Sequence, residues 1–499
     1  MRPHTSASTL RRLLRRGTPV VLAMTLLFSG VAAPAAPDPA PILEAREQAL
    51  AAYRALPGFE RKVETGLPTE MVGFEWEGET AGAVEVRARD GDGWGPWILA
   101  EGDPDEGPDP ESAEFRGRTT AGPVWVGPAV RQVEVRVKEG GLDGLALHAI
   151  HTEDPPKPRG TIRRAGATVP RPAITSRAGW GADESFRKLA PGCNGTPEYA
   201  GVVRNALAHH TATANGYGPG DSAAIVRGIY YFHTHTNGWC DIGYNFLVDR
   251  FGQVFEGRAG GIDRAVVGAH ASGFNRESTG AAVIGTFSTD PVPDAAISGL
   301  QRLLNWKLGL HGVDPLGQVT VGGRTIPTIA GHRDVNATDC PGANLQAKLG
   351  AIRQQAAVAN RPDRLTSVNS GKELDVAGAS TANGAGVIQW PGNGGRNQQW
   401  RAVAISGDAY AVISANSGKV LDVEGASLAD GAPIIQWAWN GGANQLWRLE
   451  PTGDGDTKLV SVNSGKVVDV AGMSLADGAR VIQWPWHGGR NQQWRMVPV

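Results

Sequence analysis

Between residues 71 and 152, apolar and charged side chains take turns. Val84-Glu85-Val86-Arg87-Ala88-Arg89 and Val133-Glu134-Val135-Arg136-Val137-Lys138 alternate with period two, and residues 145–150 add a further run. Each reads as a strand with one wet face, and together they predict a small antiparallel β-sandwich. Ahead of it, residues 42–55 read as a helix, on Leu43, Ala45, Glu47, Leu50, Tyr53 and Arg54. Beyond residue 173 the period changes. A strand over 202–209 is followed by a helix, capped by Asp221 or Ser222, with Ile225, Ile229 and Phe232 on one face. A hairpin joins 245–249 to 253–256 through Arg250-Phe251-Gly252, and 280–287 is an apolar, buried-type strand. A helix over 295–310 places Ile297, Leu300, Leu304 and Leu308 at helical spacing; a strand at 325–330 and a helix at 343–359 complete the segment. Residues 173–360 therefore predict an α/β domain with a mixed central sheet.

Residues 363–499 are three copies of one unit. Val368-Asn369-Ser370-Gly371-Lys372 returns as Ala415-Asn416-Ser417-Gly418-Lys419 and Val462-Asn463-Ser464-Gly465-Lys466. Each copy continues with an apolar-Asp-Val step, then Ile-Gln-Trp, then Asn-Gln-x-Trp ending at Trp400, Trp447 or Trp494, 47 residues apart. A fixed period marks one supersecondary unit that buries its apolar face against its copies. Three such β-rich units predict a β-trefoil.

Length and charge add to this picture. A chain of 499 residues is too long for one core, and its 68 glycines suit turn-dense β structure. The formal charge of -2 hides five arginines and no acid in residues 1–36; without them 43 basic and 50 acidic groups give -7. That balance argues against a nucleic-acid partner. Arg11-Arg12-Leu13-Leu14-Arg15-Arg16, the apolar run 20–28 and the small Ala32, Ala33, Ala35 and Ala36 read as an export signal over residues 1–36. The run is too short for a permanent membrane span. A secreted or wall-associated monomer is expected, by the Sec or the twin-arginine route. Residues 155–172 read as an exposed proline-rich linker between the domain of residues 42–154 and the α/β domain. Asp103, Asp105, Glu106, Asp109 and Glu111 lack calcium-loop spacing and read as a solvated loop.

The chemistry concentrates in two segments, Ala208-His209-His210-Thr211-Ala212 and residues 331–342, which hold His332 and Cys340. Two imidazoles and a thiolate suit zinc, and three protein ligands leave a fourth position for water, the pattern of a catalytic site. His233 and His235 fall near a helix end, where a structural role is expected.

The middle domain resembles the peptidoglycan recognition protein family, which shares its fold with phage lysozyme-like (type 2) zinc N-acetylmuramoyl-L-alanine amidases. The resemblance rests on Ser176-Arg177-Ala178-Gly179-Trp180-Gly181, the His209 segment, residues 238–246 (Gly-Trp-Cys-Asp-Ile-Gly-Tyr-Asn-Phe), Glu256-Gly257-Arg258, Gly268-Ala269-His270 and residues 331–342, in order. It implies zinc held by His209, His332 and Cys340, with His210 on the opposite strand face. It implies catalytic roles for Tyr244 and for Thr338, which stands where phage members carry lysine. It also implies substrate contacts from His270 and Arg258, and hydrolysis of the amide between N-acetylmuramic acid and L-alanine in peptidoglycan. With Cys340 a ligand, Cys193 and Cys240 become the disulfide candidates of an exported chain.

The C-terminal repeats resemble ricin-type β-trefoil lectins. That implies carbohydrate binding through Asp375, Trp390, Asn397 and Gln398, through Asp422, Trp437, Asn444 and Gln445, and through Asp469, Trp484, Asn491 and Gln492. The three Asp residues alternate with apolar neighbours and are expected to face outward; Trp400, Trp447 and Trp494 are expected in the core. Two rivals to a secreted zinc amidase are a non-catalytic peptidoglycan sensor and a secreted lectin with a structural zinc. The presence of Cys340 and Tyr244 argues against the first, and the open coordination position against the second.

Overall fold

The computed structural model describes residues 43–51, 54–78, 81–91, 93–117, 119–152, 169–453 and 455–499. The expected export signal, and the linker up to residue 168, lie outside the described residues.

The first domain is an antiparallel sheet of β1 (Leu43–Ala49), β2 (Glu60–Trp76), β3 (Gly82–Asp90), β4 (Gly93–Trp94), β5 (Ile98–Gly102), β6 (Thr119–Glu139) and β7 (Ala146–Thr152), in the order β1-β7-β2-β6-β5-β3-β4. The long strands β2 and β6 shift register three times along their pairing, and such irregularities bend a strand. The sheet wraps a core that includes Val72, Phe74, Val84, Val86, Val133, Val135 and Leu147. Within the span 42–55, where a helix is expected, the described Leu43–Ala49 form a strand. Residues 43–49 pair with β7 along their whole length, Leu43 opposite Thr152 and Ala49 opposite Ala146. Tertiary pairing overrides the local helix preference of this Glu- and Ala-rich segment.

The α/β domain centres on a six-stranded mixed sheet. Its strands are β8 (Ile174–Thr175), β9 (Asn205–His210), β10 (Phe246–Val248), β11 (Val254–Glu256), β12 (Ser278–Val283) and, after the hairpin β13 (Gln318–Val321) and β14 (Arg324–Pro327), β15 (Ile329–Gly331). The order is β15-β9-β12-β10-β11-β8, with β10–β11 the one antiparallel pair in it. After the short α1 (Arg177–Trp180), α2 (Ser222–Tyr231) packs on one face, and its Ile225, Val226 and Ile229 share a core with Met71, Trp125 and Ile150 of the β-domain. The other face takes α3 (Asp294–Leu310) and, beyond the single turn of α4 (Ala343–Gln346), α5 (Leu349–Ala359). Leu300, Leu303 and Leu304 of α3 are at most 1% exposed, and each contributes about 1.5–3 kcal/mol by burial. Through Val403, Ile405, Ala411 and Ile413 this core continues into the C-terminal domain.

Residues 363–499 form the expected trefoil. Hairpins Glu373–Val376/Val387–Trp390, Val420–Val423/Ile434–Trp437 and Val467–Val470/Val481–Trp484 recur about a three-fold axis. Isolated bridges Gly386–Ile435, Pro433–Ile482 and Ile388–Arg480 tie the hairpins together. Trp400, Trp447 and Trp494 are fully buried, and each indole donates to the carbonyl of Leu374, Leu421 or Val468. The described end of the linker is exposed at Pro170 and Arg171 but anchored at Val169, which is buried and exchanges backbone hydrogen bonds with Ala402 and Ala404 of the trefoil. Among the described residues no helix is long and apolar enough to cross a membrane.

Candidate metal centre and sugar sites

Strand register assembles the first site. β9 and β15 run parallel with Gly331 opposite Ala208, so His332, one residue past β15, emerges beside His209. The 3-10 turn His332–Asp334 and the following loop carry the chain round to Cys340. Ligand atoms of His209, His332 and Cys340 lie within 4.8 Å of one another. His209 and His332 are fully buried and Cys340 is 6% exposed. Burial lowers the pKa of both imidazoles and raises that of the Cys340 thiol. Neutral imidazoles are the form that binds metal, and a bound cation deprotonates a thiol outright. Both ring nitrogens of His332 are buried without a hydrogen-bond partner, which fits a site built for a metal ion. His210 points away, its Nδ1 accepting from Phe287 N at 3.3 Å.

A second layer orients the ligands. His209 Nδ1 faces Cys340 Sγ at 3.6 Å, and its Nε2 meets His270 Nδ1 at 3.1 Å. A lone pair kept on Nδ1 for metal puts the proton on Nε2, which donates to His270. His270 then carries its own proton on Nε2, facing Ser278 Oγ at 3.5 Å. His270, expected at the substrate, is fully buried behind a ligand and contacts no open space; its pKa is pushed down to about 3 by desolvation and the neighbouring His332. Nothing in its sequence position separates this role from substrate contact. Gly268 and Gly280 make room for its ring, and a Cβ at either would come within 2.4 Å of it. Thr338 Oγ1 accepts the Cys340 backbone N–H at 3.0 Å, bracing the ligand loop.

Tyr244 follows Gly243 on the approach to β10, and its ring centroid is 5.5 Å from that of His209. Its pKa is pushed well up by burial and by Glu106, so it stays a phenol and donates to Glu106. That carboxylate belongs to the acidic segment between β5 and β6. The segment is not a solvated loop: it lies on the α/β domain, with Glu106 half-buried against Tyr244. Sequence reasoning missed these contacts, and no local signal marks them. Arg258 pairs with Glu114 of the same segment and lines a cavity of about 420 Å³ with Asn194, Glu198 and Arg276. Cys193 and Cys240 form a disulfide. His233 accepts from Gly243 N, and His235 stacks on Tyr231, both structural.

The trefoil sites differ from expectation in one respect. Asp375, Asp422 and Asp469 are 3–4% exposed. Amides pack against their carboxylates: Asn397 and Gln398 each donate to Asp375 at 2.9 Å, and Asn444 and Gln445 donate to Asp422 at 3.0 and 2.8 Å. Gln398, Gln445 and Gln492 are fully buried, donating also to the carbonyls of Pro391, Ala438 and Pro485. They brace the site from behind. Trp390, Trp437 and Trp484 are about 40% exposed. Trp390 borders a cavity of about 370 Å³ with Asp375, Asn393 and Asn397. Asn393 went unassigned from the sequence; its signal is the recurring Asn393-Gly394-Gly395 and Asn440-Gly441-Gly442, with His487 in the third copy.

Comparison with known proteins matches each of the three domains to a family. The N-acetylmuramoyl-L-alanine amidase family model matches residues 199–343, the ricin-type β-trefoil lectin domain-like model residues 359–437 and 443–499, and the Rv3811 N-terminal galactose-binding domain-like model residues 32–167. Peptidoglycan-recognition protein SC2 of Drosophila simulans is 32% identical over 174 residues, 34% of this chain and 82% of the relative. Peptidoglycan-recognition protein LB of Drosophila melanogaster is 28% identical over 37% of this chain and 71% of its own. Among solved structures, Drosophila PGRP-LB aligns with TM-score 0.29 and 28% identity over 36% of this chain and 93% of its own. The designed 3-fold symmetric protein ThreeFoil aligns with TM-score 0.28 and 51% identity over 28% of this chain and 99% of its own. These matches define a multidomain chain with an N-acetylmuramoyl-L-alanine amidase family domain and a ricin-type β-trefoil lectin domain. The chain belongs to the peptidoglycan recognition protein family.

Proposed function

We propose that the chain is a secreted zinc-dependent N-acetylmuramoyl-L-alanine amidase that cleaves the lactyl amide of peptidoglycan, held on its polymer by the trefoil. The observation that carries this reading is the convergence of His209, His332 and Cys340 within 4.8 Å, beside the Tyr244 ring. Zinc bound there would supply Lewis acidity and lower the pKa of water from 15.7 to roughly 7. The rest is work for this chain's residues. His270 holds His209 in the ligating tautomer, and Thr338 fixes the backbone of Cys340. Tyr244, a neutral phenol, donates to the oxyanion that develops on the amide carbonyl, a contribution of about 3 kcal/mol for a well-aimed donor. His270 braces His209 and Thr338 braces the backbone of Cys340, so two of the three ligands are held before substrate arrives. The exposed Trp390, Trp437 and Trp484 offer stacking faces for sugar rings, and three weak sites on a repetitive glycan act by avidity. The test is reconstitution: a chelator should abolish peptide release, zinc should restore it, and Cys340→Ser should resist restoration. Undiminished turnover by fully stripped protein would overturn the reading.

A further inference from the structure

The acidic loop between β5 and β6 has no part in the chemistry just proposed, yet it sits on it. Glu106 takes the Tyr244 hydroxyl. Asp109 takes the Asn275 amide at 2.7 Å and Gly273 N–H at 2.8 Å, and Glu114 takes Cys240 N–H at 2.8 Å and pairs with Arg258. Asp103 brings Oδ2 to 4.0 Å from His332 Nδ1; both atoms are buried and neither has a hydrogen-bond partner. With Tyr244 only 3% exposed, an amide within a polymer has no path to the phenol. Tyr244 and Arg258, two donors expected at the substrate, are each held by a carboxylate of this loop.

We propose that residues 103–116 are an intramolecular occupant of the amidase cleft. The loop keeps the chain latent, with the Asp103 carboxylate standing over the metal ligands where water or substrate would enter. The inference rests on the amidase reading of this site. Its physical logic is exchange of like for like. The loop's charged hold is a set of carboxylates on hydrogen-bond donors and one arginine, supplemented by the Asp105 and Gly107 carbonyls, which accept from Ser272 N–H and the Asn275 amide, and by Arg116, which donates to the Pro191 carbonyl; a ligand that displaces it by matching the charged contacts is an acidic peptide. The cavity of about 420 Å³ beside the loop is bordered by Asp109, Glu111 and Glu114 of the loop and by Arg258 and Arg276, which pair with Glu114 and Glu198, so Arg258 becomes available to such a peptide as the loop leaves. Pro104, Pro108 and Pro110 stiffen the segment, which lowers the entropy lost in keeping it seated.

The test uses the full chain and the variant Asp109→Asn/Glu114→Gln, which removes two anchoring charges without changing side-chain size. Cys340 is the one unbridged thiol. In metal-free protein it should react with an alkylating reagent at least 10-fold faster in the variant than in the wild type. Zinc-loaded variant should release peptide from soluble muropeptides at least 10-fold faster. Alkylation rates within twofold of each other would overturn the plug. Faster alkylation with no peptide release from either form would uphold the plug and sink the amidase reading. If the variant's melting point shows it misfolded, hydrogen exchange on the wild-type chain decides. Muropeptide should speed backbone exchange over residues 103–117, and unchanged exchange under saturating muropeptide would overturn the proposal.

Discussion

Replacing His270 by alanine should weaken metal binding without touching a ligand. The ring does two things: it accepts from His209 Nε2 at 3.1 Å, and it fills the space against Gly268 and Gly280. Both imidazoles are fully buried, so truncation leaves the His209 N–H with no partner and no water. An orphaned buried donor costs about 1–3 kcal/mol. At about 1.4 kcal/mol per tenfold, affinity falls roughly 5- to 150-fold, in keeping with the 10- to 100-fold typical of partners behind metal-ligating histidines. Competition against a chromophoric chelator at fixed pH measures this on the folded, metal-stripped chain. His270→Asn, whose side-chain oxygen reaches the place of Nδ1, should recover part of the loss. Gly280→Ala should mimic His270→Ala, because its methyl would lie about 2.3 Å from the imidazole and push it off His209. Affinity in His270→Ala within twofold of wild type would refute the reasoning.

Three further outcomes follow from the same structure. Breaking the Cys193–Cys240 bridge, which spans 47 residues, should lower stability by about 4 kcal/mol in the chain-entropy view; a Cys193→Ala/Cys240→Ala denaturation midpoint equal to wild type would contradict it. Trp390→Ala, Trp437→Ala and Trp484→Ala, combined in turn, should lower binding to insoluble walls stepwise while turnover of small muropeptides stays constant; a triple variant that sediments like wild type would end the targeting idea. Lys307 is buried on α3 and donates to the Ile262 and Arg264 carbonyls, and desolvation pushes its pKa down to about 7 from 10.5. Between those values the unfolded chain carries a proton that the folded one lacks, so this group makes stability rise with pH through that window; Lys307→Met should flatten the slope, and an unchanged slope would contradict the assignment.

Point substitutions suit the trefoil better than deletion of residues 363–499. Val403, Ile405 and Ile413 belong to the core under α3, and Trp306 donates to the Ala404 carbonyl. A truncated chain would expose an apolar face and lose more than sugar binding.

What could be read from the sequence follows the reach of the interactions. His209 and Cys340 are flagged by their neighbours in the chain, and parallel strand order does the rest. The trefoil announces itself through a repeated period. Residues 43–49 misled because their partners in β7 lie about a hundred positions away, and helix preference is the only local signal. The Asp carboxylates of the trefoil alternate as outward residues do, but Asn397 and Gln398, more than twenty positions on, fold over Asp375 and bury it. The acidic loop is the extreme case: Glu106 and Tyr244 are 138 residues apart, and no composition or spacing rule joins them.

The central claim concerns which bond is cut. Purified, zinc-loaded chain and its Asp109→Asn/Glu114→Gln variant should be incubated with purified muropeptides and whole sacculi, and the products read by mass spectrometry. The account predicts intact peptides bearing free L-alanine amino termini and glycan strands left whole. New reducing sugar ends, or peptides cut internally with the lactyl amide intact, would contradict it.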